Sequence, residues 1–133
     1  MARYALDAPT LLHLVTAQVT VSPEHRLVAP NALRSQALAL LLGAVRRGDL
    51  SEAAALEQHE RLTEVKVRLL GDRVSRRTAW RIAREQGWDS LEDAEVLAVA
   101  RLQADALVTV DPRLAARAVG LVPLADVALL SRA

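Results

Sequence analysis

An α/β domain built on a mostly parallel β-sheet is the fold this sequence predicts, and three observations predict it. Short apolar runs able to form strands alternate with helix-patterned segments from one end of the chain to the other. Hydrophobic residues make up 52% of the 133 residues, yet there is no Phe, one Tyr and two Trp, so the core is built from Ala, Leu and Val. No repeat, linker or low-complexity segment interrupts the pattern, and the length suits one domain spanning 1–133.

The first strand is expected at Tyr4–Leu6, running into Asp7, with a helix behind it whose first turn holds Pro9. Leu27–Ala29 reads as a second short strand, closed by Pro30. From Asn31 to Arg47, the apolar positions Leu33, Ala37, Leu40, Leu41, Ala44 and Val45 fall at helical spacing, and Gly48 follows directly. Ser51 opens another helical stretch, rich in good helix formers and acidic near its start. Val65, Val67 and Leu69 alternate with Lys66 and Arg68, the period of an edge strand with one face in water. Gly71 and Asp72 end it, and RVSRRTAWRIAREQ follows as a helix that Gly87 can terminate. After the cap candidate Ser90, Leu91–Leu102 is apolar nearly all round, apart from acids in its first turn and Arg101, which is the pattern of a buried helix. Ala106–Val110 then reads as a strand, followed by a short helix, Gly120, a last strand at Leu121–Leu124 and a helical tail.

Composition removes several function classes. Without Cys there is no disulfide, thiolate metal site or thiol nucleophile, and three His alone argue against structural zinc. The amino-terminal apolar run is interrupted by Asp7 and His13, unlike a signal peptide, and the longest apolar stretch, around residues 37–45, is too short to span a bilayer. A soluble cytoplasmic protein is expected. The net charge of +1 gives no long-range pull toward nucleic acid, so any such attraction must come from a local patch.

Three acids occupy suggestive places. Asp7 and Asp111 stand at the carboxyl ends of strands, where ligands bind in open α/β sheets, and Asp93 lies in the first turn of the buried helix. Each is also explained as a helix cap or first-turn acid, with Pro112 behind Asp111 reinforcing that reading. If the three converge, their mutual repulsion calls for a cation, and oxygen-only donors suit Mg²⁺ or Mn²⁺. Metal-dependent hydrolysis of a phosphate ester is the chemistry that would follow.

The segments YALDAPTLLHLV, LVAPNALRSQALALLLGAVRRGDLS and SLEDAEVLAVARLQADALVTVDPRL together resemble the PIN-domain ribonucleases, particularly the VapC-type toxins of bacterial toxin–antitoxin pairs. The likeness runs almost the whole length. It implies a three-layer α/β/α fold, with Asp7, Asp93 and Asp111 as acids of the site and Thr109 as the hydroxyl beside Asp111. Counting from Ala29 and Pro30, the second acid of the family, usually Glu, falls on Gln36, an amide that can coordinate through oxygen but brings no charge. The resemblance further implies an endoribonuclease using Mg²⁺ or Mn²⁺, an RNA substrate such as transfer or ribosomal RNA, homodimers and a cognate antitoxin protein. Gln36 motivates an alternative, a PIN-like RNA- or partner-binding regulatory protein with little or no cleavage. An acidic-pocket phosphotransfer domain fits less well, because the sole Lys, Lys66, lies on the expected edge strand rather than near the acids.

Arg73, Arg77, Arg81 and Arg84 recur at three- and four-residue steps, with Arg76 beside them, forming a stripe that is either a solvated helix face or an RNA-backbone contact. Trp80 and Trp88 are read as core or interface anchors, with base stacking as the alternative.

Overall fold

The computed structural model describes residues 2–132. Five strands, β1 (Ala2–Leu6), β2 (His25–Pro30), β3 (Arg68–Leu70), β4 (Ala106–Val108) and β5 (Leu124–Ala125), form one sheet in the order β3-β2-β1-β4-β5. Every neighbouring pair is parallel. Six helices connect them: α1 (Ala8–Thr16), α2 (Leu33–Arg46), α3 (Glu52–Glu64), α4 (Arg73–Gln86), α5 (Glu92–Gln103) and α6 (Pro112–Ala118).

Two apolar cores lie on opposite faces of the sheet, as strand geometry requires when successive side chains alternate. Tyr4 and Leu6 of β1 face Leu11 and Leu14 of α1, Leu33, Ala37 and Leu41 of α2 and Leu62 of α3. Ala5 of the same strand faces the other way, toward Ile82 and Ala83 of α4, Leu97 of α5 and Leu114 of α6. The result is a three-layer α/β/α fold with β1 at its centre.

Helix ends follow local chemistry. Asp72 caps α4 by accepting the Ser75 amide at 2.8 Å, and Gly87 closes it in the left-handed conformation at φ 73°. Some expected boundaries move. The edge strand is Arg68–Leu70 rather than Val65–Leu69; Val65 and Val67 pack on the core from irregular chain. The last strand is Leu124–Ala125 rather than Leu121–Leu124, because Gly120 at φ 81° starts a turn that carries Val122 into the core first. The tail at Val127–Ser131 is a 3₁₀ turn. Ser90 accepts the Glu92 amide at 3.2 Å, while the residue at the cap of α5 is Leu91.

Candidate active site at the carboxyl end of the sheet

The chain lays β2 and β3 on one side of β1 and then returns to place β4 and β5 on the other. Such a reversal leaves a crevice outside the carboxyl ends of the two central strands. Leu6 of β1 is paired with Val108 of β4, so the residues that follow, Asp7 and Thr109, leave the sheet side by side. Thr109 donates its hydroxyl to Asp7 Oδ2 at 2.9 Å and accepts the Asp111 amide at 3.0 Å. Thr10, buried in the first turn of α1, donates to Asp7 Oδ1 and accepts the Val110 amide at 3.1 Å. Two hydroxyls thus tie the end of β1 to the loop after β4.

Asp7 occupies the cap position of α1 without making a capping bond; both of its oxygens are turned to hydroxyls. It is 5% exposed and has no cationic partner among the described residues. Burial pushes its carboxyl above the ordinary 3.8, against the two hydroxyl bonds, and the nearby Asp111 charge pushes the same way as burial. Asp111 does cap a helix: Oδ1 accepts the Arg113 amide at 2.9 Å at the start of α6. Its other oxygen remains, and faces Arg113 Nη2 at 3.3 Å. Asp111 therefore serves the helix with one oxygen and the crevice with the other.

Asp93 reaches the same region from α5, already paired. Arg113 grips it with two bonds, Nη1 to Oδ2 at 2.5 Å and Nη2 to Oδ1 at 3.0 Å, and Arg117 Nη1 adds a third to Oδ2 at 2.9 Å. Hydrogen bonding from Arg113 holds the Asp93 carboxyl below its ordinary value, with Arg117 adding to the effect against partial burial. Arg117 is itself fixed, its guanidinium 4.6 Å from the centroid of the Trp88 ring.

Among the described residues, no three His, Cys, Asp or Glu side chains are grouped so as to hold a metal ion. Asp93, expected to join Asp7 and Asp111, is engaged in this arrangement by the guanidinium groups of Arg113 and Arg117. Gln36 lies half-buried in the first turn of α2 and makes no side-chain hydrogen bond to these acids. The five arginines of the stripe, Arg73, Arg76, Arg77, Arg81 and Arg84, are exposed on α4, and none forms an ion pair among the described residues. The two tryptophans separate. Trp88 packs on the core, whereas Trp80 is 62% exposed and lines a shallow hollow of about 390 Å³ with Arg77, Arg81, Arg84 and Glu85, which removes the core reading and leaves an interface or a stacking face.

Thr10, Arg113 and Arg117 are parts of the site that the sequence reading passed over. A signal existed for Arg113: a cation in the first turn of a helix opposes the helix dipole unless an acid offsets it. For Thr10 the signal is its position three residues after a strand-end acid, facing back along the helix.

No known protein-family profile matches the chain, and no curated protein matches it. Solved structures do. PAE2754 from Pyrobaculum aerophilum superposes with a TM-score of 0.72 at 27% identity, covering 98% of this chain and 93% of that one. VapBC-1 from nontypeable Haemophilus influenzae gives 0.58 at 22%, over 93% and 97% of the two chains. VapC20 of Mycobacterium tuberculosis, a sarcin-ricin-loop-cleaving toxin, gives 0.58 at 20%, over 91% and 98%. The chain has the fold of a VapC-type PIN domain.

Proposed function

We propose that this protein is a metal-dependent endoribonuclease of the VapC type, the toxin of a toxin–antitoxin pair. The observation that carries the reading is the convergence of Asp7, Thr109 and Asp111 at the reversal of strand order, with Asp93 brought to Asp111 through a shared arginine. The donor chemistry fits a hard divalent cation: every acid supplies carboxylate oxygen, and Asp7 is buried without a counter-ion. Asp7, Asp93 and Asp111 would hold Mg²⁺ or Mn²⁺. Such an ion, when bound, activates water and stabilises the leaving oxygen of a phosphodiester.

The chain's own residues do the rest. Thr109 and Thr10 fix the Asp7 carboxylate, and Thr109 also fixes the loop that carries Asp111. The exposed arginines of α4 supply backbone contacts for RNA, and Trp80 among them offers a face for an unpaired base. A single domain over 1–133, a second copy and a cognate antitoxin complete the reading, the antitoxin supported by the likeness to VapBC-1. A cytoplasmic setting is part of the same proposal; among the described residues no helix is long and apolar enough to cross a membrane.

The test is cleavage of RNA by the purified, antitoxin-free protein in Mn²⁺ and in chelator, with Asp7→Asn alongside. Cleavage that requires Mn²⁺ and falls at least a hundredfold in a folded Asp7→Asn, roughly the scale on which positioned catalytic groups act, is expected. Metal-independent or undiminished cleavage overturns the assignment. Gln36 favours a second reading, RNA or partner binding with weak cleavage. Gln36→Glu separates the two, since a large gain in Mn²⁺ affinity and cleavage would mark the native site as attenuated.

A further inference from the structure

Two carboxylates of the crevice share one nitrogen. Arg113 Nη2 lies 3.0 Å from Asp93 Oδ1 and 3.3 Å from Asp111 Oδ2, and it is the only side-chain donor to either oxygen among the described residues. The remaining oxygens are committed elsewhere. Asp111 Oδ1 caps α6 and Asp93 Oδ2 is shared with Arg117. A single guanidinium therefore covers the two carboxylate oxygens that the crevice has free to offer.

The two arginines differ in their surroundings, Arg113 making three bonds to the acids and Arg117 one. Arg117 has a 37% exposed side chain and rests against Trp88, whereas that of Arg113 is 58% exposed and has no aromatic face against it. Arg113 can swing into solvent by rotating its own side chain, leaving its backbone in the first turn of α6. The Arg117 bond to Asp93 Oδ2 does not depend on Arg113.

We propose that Arg113 is a resident counter-ion of the acidic crevice, which a divalent cation must displace from Asp93 and Asp111 before it can bind. The proposal rests on the reading of Asp7, Asp93 and Asp111 as cation ligands. It explains how Asp93 and Asp111 can lie against one another: the charge that would otherwise drive them apart is neutralised by the guanidinium between them. It also makes Arg113 a determinant of cation affinity. Arg113 and the cation compete for the same oxygens, so each weakens the binding of the other by the same factor.

Calorimetric titration of Mn²⁺ into the full chain, the Arg113→Gln variant and the Arg113→Gln/Asp7→Asn double variant tests it. Tighter binding in Arg113→Gln, by about tenfold, with loss of binding in the double variant, is the expected result. Thermal melting supplies a second readout. In chelator Arg113→Gln should melt below the parent, because Asp93 and Asp111 have lost their shared cation, and Mn²⁺ should raise its melting temperature by more than the parent's. If Arg113→Gln does not fold, Arg113→Lys replaces it, since a single ammonium cannot bridge both oxygens as the fork does and should give an intermediate affinity. Equal affinity in parent and variant overturns the counter-ion role while leaving the cation site standing. Absence of Mn²⁺ binding in both overturns the cation site, and the counter-ion role falls with it.

Discussion

At the scale of single residues, Asp7 and Asp93 are opposites built from the same side chain. Asp93 gains two guanidinium partners, so its folded-state carboxyl is more acidic than in the unfolded chain; the stability it contributes is present above pH 3.8 and is lost as pH falls through its lowered value. Asp7 is buried with hydroxyls alone, so its folded-state carboxyl is less acidic. Its contribution is full below pH 3.8 and is lost as pH rises through the raised value. Asp7→Asn removes that loss, and an amide oxygen can still accept a hydroxyl bond. The variant should be inactive yet more stable than the parent at pH 7, with the difference shrinking as pH approaches 3. Melting curves across that range check it; a variant less stable at pH 7 would show that the buried charge is compensated elsewhere. Asp7 and Asp111 were legible in the sequence because strand ends announce themselves through apolar runs, whereas Thr109 was picked out only by the family resemblance. Arg113 and Arg117 were not, because an arginine's partner in another helix leaves no local trace.

At the scale of elements, legibility follows the strength of local chemistry. Helix α4 emerges with the bounds its sequence announces, since Asp72 supplies the cap and Gly87 the left-handed exit. Gly87→Ala should cost about 1 kcal/mol, the usual penalty for a Cβ at positive φ, because no atom lies within 4 Å of the added carbon to supply a further clash. Urea denaturation reads this directly. A loss several-fold larger would mean that the α4–α5 connection carries more than a helix exit. Strands β3 and β5 were harder to place. With three and two residues, they owe their definition to pairing with β2 and β4, and Leu107 donates to the Pro123 carbonyl just before β5 begins. Alternating hydrophobicity at residues 65–69 matched their partial burial, whereas the apolar Leu124 of the expected last strand is exposed. It could not report which residues reach a neighbour's backbone.

At the scale of the whole molecule, a net charge of +1 conceals a segregated distribution, with acids at the carboxyl end of the sheet and a run of unpaired arginines along α4. Binding of a single-stranded RNA in chelator should therefore weaken with salt. Replacing Arg77, Arg81 and Arg84 by Gln should each flatten the logarithmic salt slope by about 0.7, the value per phosphate contact on a single strand. Fluorescence anisotropy at several salt concentrations measures it, and an unchanged slope would remove α4 from the RNA-binding surface. The hydroxyl bridge from Thr109 to Asp7 spans 102 residues of sequence, and the pairing of Asp93 with Arg113 draws on residues late in the chain. Synthesis proceeds from the amino terminus, and β4 can pair with β1 only after the intervening strands and helices have been made. A ribosome-bound nascent chain thus carries Asp7 through the synthesis of the next 102 residues without the hydroxyl that completes its site. The crevice is completed only once β4 has followed β1 out of the ribosome, a useful order of events for a protein whose proposed target is RNA.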